Sequence, residues 1–188
     1  RRRTVENINA YLIPHRDVLI EPSTRPISQV AEMINGNKPV DGGHLMLTWD
    51  EAHKMIADDD RATPFVRPFV GSSEYINGNQ RYCLWIEDTN LVQARAISDI
   101  GQRLAKVRDF RAKSEKELTK RGADTPHSFQ QIRQRGRERV IVVPRVSSEN
   151  RDYLPVGVLN NGAIIGDRNF AFYDVPLWNL ALAISRLH

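Results

Sequence analysis

The sequence predicts an α+β fold in which short strands form mixed sheets and several helices pack against them. Two observations support this prediction. Short apolar segments recur between turn-forming residues, as in strands, and one long segment carries apolar residues at helical spacing. Strands and helices do not alternate regularly, which disfavours a parallel α/β sheet. With 188 residues, 40% of them hydrophobic, we expect a single domain over residues 1–188 with its own core.

The predicted strands are short and are bounded by turn-forming residues such as Gly, Pro and Asn. They cover residues 10–13, 18–20, 44–47, 82–86, 140–143, 154–159, 163–165 and 170–173. A helix over about 49–58 is expected to begin at Thr48 or Asp50, since either side chain can accept hydrogen bonds from the first turn. Around Pro64 and Pro68 we expect a short helix or a loop. The chain is expected to stop within a final apolar helix over 175–188.

The clearest helix is predicted over about 91–112, because apolar residues recur there three and four positions apart. They define one buried face, formed by Ile97, Ile100, Leu104, Val107 and Phe110. The opposite face carries Arg95, Gln102, Lys106 and Lys113. This helix is therefore expected to present positive charge to solvent. Residues 114–125 should follow as a charged loop or a frayed extension of the helix.

Positive charge is concentrated in one part of the chain. Residues 101–151 contain 14 of the 27 Lys and Arg residues but only 6 of the 23 Asp and Glu residues. The net charge of +4 for the whole chain therefore combines a strongly basic block with an acidic remainder. Such a block is typical of surfaces that bind nucleic acid, since contacts of Lys and Arg with phosphate supply most of the non-specific affinity.

No catalytic residue and no metal site is predicted in this chain. The sequence lacks a Gly-rich phosphate or cofactor loop and an Asn-Pro-Pro-Tyr motif that would hold a flipped base. The three consecutive acids 58–60 should diverge at a helix end, and His44 and His53 lack the spacing that places two ligands on one helical face. One alternative remains a metal-dependent nuclease that uses Asp41, His44 and nearby acids.

The single cysteine, Cys83, lies in an apolar segment and cannot form an internal disulfide. We therefore expect a buried thiol and a reducing, cytoplasmic location. No segment approaches the roughly 18 apolar residues that a membrane span needs, so no membrane partner is expected.

Five motifs, in a fixed order across most of the chain, carry a resemblance to a known family. They are GNKPVDGGHL at 36–45, RPFVGSSEYING at 67–78, RYCLW at 81–85, TPHSF at 125–129 with IRQ at 132–134, and PRVSSENRDYLP at 144–155; a further motif, NINAYL, precedes them at 7–12. The sequence resembles the MmeI-like DNA methyltransferases of restriction–modification systems. In that family the motif at 7–12 follows directly after the catalytic domain.

The resemblance implies that the chain is the target-recognition domain of a longer enzyme. That enzyme would be a site-specific adenine-N6 methyltransferase that uses S-adenosylmethionine, with Mg²⁺ in addition if it carries a nuclease domain. The fragment itself is expected to hold no cofactor. Its implied partners are double-stranded DNA and a methyltransferase domain upstream in the same chain, in the cytoplasm of a bacterium or archaeon.

Base-reading residues are sought among side chains that match the edges of bases: Arg for guanine, and Glu or Asp for the amino group of cytosine. Glu149 and Arg151 would share one face of an extended segment and so suit a C·G pair. The alternative is that 147–149 form a turn that satisfies its own backbone. Arg133 and Arg135 are further candidates.

Phosphate contacts are assigned to exposed cations, which position DNA without discriminating sequence. The candidates are Lys106, Lys113, Lys116, Lys120, Arg121 and Lys38. Because a basic face does not distinguish DNA from other partners, an RNA-binding or protein-interaction module remains a further alternative.

Overall fold

The structure is a computed structural model that describes residues 4–9, 12–17, 30–160 and 162–185. Contacts divide the chain into two compact units, Arg1–Glu32 and Met33–His188. Of the two strands predicted in the first unit, 18–20 and the beginning of 10–13 lie outside the described residues. Leu12 does not belong to a strand, because its backbone N–H donates to the Asn9 carbonyl at 2.9 Å and closes a turn.

The second unit combines helices with short strands, which confirms the predicted α+β class. The helices are α1 (Trp49–Asp58), α2 (Ser72–Asn77), α3 (Leu91–Arg95), α4 (Ser98–Ala112), α5 (Glu117–Arg121) and α6 (Trp178–Ala183). The strands are β1 (Ile34–Asn35), β2 (Met46–Thr48), β3 (Val66–Val70), β4 (Arg81–Leu84), β5 (Val140–Pro144), β6 (Gly157–Leu159), β7 (Ile164–Ile165) and β8 (Asn169–Tyr173). Short 3₁₀ helices cover Asp60–Phe65, Asp88–Asn90 and Gly122–Asp124.

The strands form two sheets of four. One is antiparallel throughout, in the order β1-β8-β5-β6, and its central strand β5 is buried along its whole length. The other has the order β2-β4-β3-β7, and only its β3–β7 pair is parallel. The larger hydrophobic core joins the second sheet to α1, α3 and α4. As predicted, the thiol of Cys83 is buried: it lies in this core with no exposed surface, and burial raises its pKa.

The helix predicted over 91–112 begins and ends as expected but is interrupted. Ile97 adopts an extended conformation (φ −84°, ψ 117°) and separates α3 from α4. The break brings the Arg95 carbonyl oxygen within 3.0 Å of the place that a Cβ on Gly101 would occupy, so the glycine allows the close approach. Four of the five predicted apolar residues are buried, whereas Phe110 is 44% exposed.

Two segments contain more regular structure than predicted. The residues around Pro68 form strand β3, which the proline had argued against. Its partner β7 pairs only with Phe69 and Val70, so the missing N–H of Pro68 falls outside that ladder. The predicted charged loop 114–125 contains α5 and the 3₁₀ helix after it.

The helices predicted over 49–58 and 175–188 are both present. Thr48 caps α1 as predicted: its Oγ1 accepts from the Glu51 backbone N–H at 3.2 Å, and a Glu51 carboxylate oxygen accepts from the Thr48 N–H at 2.8 Å. The final helix is shorter than predicted, since α6 covers Trp178–Ala183 of the expected 175–188, and residues 186–188 are outside the described part. Among the described residues, no helix has the length and apolar character that a membrane span requires.

Candidate nucleic-acid interface

A buried polar network holds three segments of the second unit together. Asn37 and Gln134 are both buried, and the Asn37 amide N–H₂ donates to Gln134 Oε1 at 2.8 Å and to the Ile165 carbonyl at 2.9 Å. Gln134 in turn donates to the Ala163 carbonyl at 2.9 Å and accepts from the Ile165 N–H at 2.8 Å. Two amides 97 positions apart thus connect the segments before β2, before β5 and at β7.

This network also fixes the backbone of the arginine-rich segment 133–139. Asn37 Oδ1 accepts the N–H of Arg133 at 2.6 Å. The Glu138 carboxylate accepts the N–H groups of Arg135 at 2.5 Å and of Arg137 at 2.9 Å. Burial raises the pKa of the Glu138 carboxyl group, but these backbone hydrogen bonds outweigh that effect and hold the pKa below its ordinary value.

The side chains of the arginine-rich segment remain exposed. Arg133, Arg135 and Arg137 are all exposed to solvent. Arg135 and Arg137 line a cavity of about 650 Å³, together with His127 and Asp88. His127 is buried, and its Nε2 lies 2.6 Å from an Asp88 carboxylate oxygen. The Arg137 guanidinium lies 3.7 Å from Glu87, and Arg139 donates to the Val175 carbonyl at 2.9 Å. The segment therefore has a fixed backbone, and the guanidinium groups of Arg133 and Arg135 are exposed on it.

The loop between β5 and β6 carries the other predicted base-reading residues. All of residues 145–154 are exposed, and we name this segment the β5–β6 loop. The prediction that Glu149 and Arg151 alternate along an extended strand is wrong. The Arg151 N–H donates to the Ser148 carbonyl at 3.2 Å, which closes a turn, and Ser148 Oγ accepts from the Asn150 N–H at 3.2 Å. A hydroxyl that can bond its own backbone favours the turn over a strand.

The turn does not remove Glu149 and Arg151 from consideration, because both side chains face solvent. Within the described residues, neither forms an ion pair. The first residue of the loop is anchored: the Arg145 N–H donates to the Arg168 carbonyl at 3.2 Å, and the Arg145 guanidinium lies 5.3 Å from the centre of the Phe170 ring. The loop therefore presents a carboxylate, Glu149, and a guanidinium, Arg151, and its first residue is held in place.

The predicted phosphate-contacting cations are all exposed, and the structure brings two of them together. Lys106 lies on α4 and Lys113 at its end, while Lys120 and Arg121 lie on α5. Lys38 and Lys116 are far apart in sequence but line the same cavity of about 590 Å³. The sequence predicts both residues as phosphate contacts, and only the fold places them around one cavity.

Sequence reasoning missed two arginines near the β5–β6 loop. Arg81 and Arg168 line a cavity of about 450 Å³ whose edge is formed by Val146 of that loop. The Arg81 guanidinium lies 5.8 Å from the centre of the Phe69 ring and 3.5 Å from Glu74. Both arginines lie outside the basic block 101–151, so the block gave no sign of them.

Three acids considered for a metal site or a metal-dependent nuclease, Asp41, Glu51 and Asp59, are engaged in structural contacts. The buried Asp41 carboxylate accepts the Leu45 N–H at 2.5 Å. Glu51 caps α1 and lies 2.7 Å from Arg103, and the cap and the guanidinium lower its pKa. Asp59 pairs with Arg61 at 2.6 Å. In the part of the chain that the structure describes, no three His, Cys, Asp or Glu residues are grouped to hold a metal ion.

Comparison with known proteins supplies the relatives of this fold. Residues 14–188 match the model of the MmeI target recognition domain. DNA methyltransferase A of Bacillus subtilis (strain 168) is 34% identical over 187 residues, which are 100% of this chain and 21% of that protein. The Type IIL restriction-modification enzyme MmeI, solved in complex with DNA, superposes with a TM-score of 0.82 at 32% identity.

The superposition with MmeI covers 97% of this chain and 24% of that one, so the chain spans about a quarter or less of both relatives. The likeness therefore concerns one domain of longer enzymes. The chain belongs to the family of MmeI target recognition domains.

Proposed function

We propose that this domain recognises a specific sequence in double-stranded DNA and directs a methyltransferase domain to it. The observation that carries the proposal is the exposed β5–β6 loop, which presents Glu149 and Arg151 free of ion pairs within the described residues. Acidic and guanidinium groups are the side chains that read cytosine and guanine edges. The MmeI relative was solved with DNA, which supports the same partner here.

The second group of base-reading residues is the arginine-rich segment. Arg133 and Arg135 are exposed, and hydrogen bonds to Asn37 and Glu138 hold their backbones. A rigid backbone reduces the conformational entropy that is lost when a side chain contacts a base. The exposed cations of α4 and α5 are assigned to phosphates, which fix register without reading sequence.

The chain that contains this domain is proposed to be an adenine-N6 methyltransferase of a bacterial or archaeal cytoplasm, with its catalytic domain upstream. The name of the Bacillus relative supports a DNA methyltransferase, and the 21% of it that this chain covers supports a longer enzyme. The adenine-N6 specificity and the upstream position follow from the family resemblance of the motifs. When bound, S-adenosylmethionine would supply the methyl group, and Mg²⁺ would serve a nuclease domain. No residue of this chain is assigned to either group, since its sequence has no cofactor loop.

A competition experiment tests the proposal. The domain is bound to a labelled duplex at fixed salt and challenged with duplex DNA, single-stranded DNA and duplex RNA. We expect weak, salt-sensitive binding in which duplex DNA competes best, because phosphate contacts dominate the affinity of an isolated domain. Equal or better competition by duplex RNA would contradict the proposal and favour an RNA-binding module.

A further inference from the structure

The cavity that contains Lys38 and Lys116 has the chemistry of a site for the DNA backbone. Its polar lining includes the two lysines and the amides of Gln130 and Gln131. Its apolar lining includes Phe110 and Leu118, which are 44% and 67% exposed. A sugar–phosphate unit has an anionic phosphate beside the apolar face of its sugar ring. The phosphate matches the lysines of the lining, and the sugar matches its apolar side chains.

One wall of this cavity is a pair of irregular segments joined through their backbones. The Lys38 N–H donates to the Gln131 carbonyl at 2.9 Å, and the Gln131 N–H donates to the Lys38 carbonyl at 3.0 Å. The Gln130 N–H donates to the Pro39 carbonyl at 3.2 Å. Three hydrogen bonds therefore hold Lys38 beside the two glutamines, although about 90 residues separate them in sequence.

Behind this wall lies a single buried arginine. Arg111 is 1% exposed and makes five hydrogen bonds of 2.8–2.9 Å, all to backbone carbonyl oxygens. The acceptors belong to Pro39, Val40, Gly122, Thr125 and Ser128. Its guanidinium thus joins the segment that carries Lys38, the turn after α5 and the segment that leads to Gln130.

Burying a guanidinium costs free energy unless hydrogen bonds or an opposite charge compensate for the lost hydration. Burial lowers the pKa of Arg111, and the nearby Asp41 charge opposes this change. No carboxylate in the described residues forms an ion pair with Arg111. The planar group instead supplies its donors to carbonyls of the loops at 39–40 and 125–128 and of the 3₁₀ helix after α5. Gly122 permits this approach, since a Cβ there would lie 3.3 Å from Arg111 Cδ.

We propose that this cavity binds one sugar–phosphate unit of the DNA backbone and that Arg111 is the positioning residue that shapes it. The inference rests on the proposed function. The phosphate lies between Lys38 and Lys116, and the deoxyribose packs on Phe110 and Leu118. Arg111 does not touch DNA and acts by holding Lys38 against Gln131. Glu115 also lines the cavity, and its charge opposes the phosphate.

The lining is tested by measuring duplex affinity as a function of salt concentration. We expect Lys38→Ala and Lys116→Ala each to weaken binding about fivefold and to lower the salt slope by about one. Glu115→Gln should tighten binding about twofold, since it removes a repulsive charge from the same cavity. Lys54→Ala serves as the matched control, because Lys54 lies on α1 and does not line the cavity; it should leave both quantities unchanged.

The role of Arg111 is tested by its coupling to Lys38. Arg111→Lys keeps the positive charge but loses the planar set of hydrogen-bond donors. Gly122→Ala retains Arg111 but adds a methyl group that would lie 3.3 Å from Arg111 Cδ and displace the side chain. Each variant, checked for folding by circular dichroism, should weaken duplex binding about fivefold. In either background, Lys38→Ala should then have little further effect on the salt slope.

The outcomes distinguish three claims: the positioning role of Arg111, the cavity as a site for the DNA backbone, and the proposed function of the domain. If Lys38→Ala lowers the slope fully in both the Arg111→Lys and the Gly122→Ala backgrounds, the positioning role is wrong although the cavity still binds phosphate. If the lysine variants behave as the Lys54→Ala control does, the cavity is not a DNA site although the domain still binds DNA elsewhere. If the wild-type domain shows no salt-dependent duplex binding, the proposed function itself is wrong.

Discussion

The polar residues around Asn37 and those of the β5–β6 loop are used in opposite ways. Asn37 and Gln134 are buried, and their amides bond the segments around β5 and β7. Glu149 and Arg151 are exposed, and within the described residues neither belongs to an ion pair. The loop backbone satisfies itself through a turn at Ser148. The side chains of Asn37 and Gln134 therefore hold the fold together, whereas those of Glu149 and Arg151 remain available to a partner.

The difference matters because burial decides which property of the domain a substitution changes. A buried amide that loses its partner leaves donors and acceptors unsatisfied in a medium of low polarity, and this is costly. An exposed acid or base is already hydrated and changes the free energy of unfolding little. Variants of the two regions should consequently affect different measurements, and the predictions below run from the largest expected effect to the smallest.

Asn37→Ala should lower the free energy of unfolding by roughly 3 kcal/mol, since it removes bonds to Gln134, Ile165 and Arg133. Denaturant unfolding measures this change. Thr48→Ala, which removes only the cap of α1, provides the comparison and should cost about 1 kcal/mol without altering duplex binding. A loss for Asn37→Ala no larger than that of Thr48→Ala would remove the distinction between the two regions.

Exchanging the charges of the β5–β6 loop, with Glu149→Arg and Arg151→Glu together, should change the preferred base at one position of the target. The expected shift in discrimination is about 1–3 kcal/mol, the value of one good side-chain-to-base contact. Binding selection from a randomised duplex measures it. Stability should stay the same, because both side chains are exposed. Equal loss of binding to every sequence would instead assign both residues to the scaffold of the loop.

Lys113→Ala, at the end of α4, should weaken binding to all duplexes alike and lower the salt slope by about one. The reason is that an ammonium group on a flexible side chain contacts phosphate without reading a base. Affinity measured at several salt concentrations for two unrelated sequences checks this prediction. A change in sequence preference would move Lys113 from the phosphate contacts to the base contacts.

Much of the fold followed from local patterns. The α+β class, the capped helix α1 and the buried strand β5 were all predicted, because periodicity, capping chemistry and apolar segments depend on nearby residues. One wrong prediction arose where distant contacts override local preference. Pro68 lies in a strand because its neighbours pair with β4 and β7. The break at Ile97 is local: its backbone is extended, and Gly101 accommodates the close approach of the Arg95 carbonyl that results.

The sequence by itself determined the family, through five ordered motifs, and the location of the basic block. Only the tertiary structure decided which charged groups share a site. It brought Lys38 to Lys116 and Arg81 to Arg168, and it placed Arg111 inside rather than on the surface. The physical reason is that a cation looks the same in a sequence whether it is hydrated or bonded to five carbonyl groups. Its burial and partners depend on segments that meet only when the chain folds.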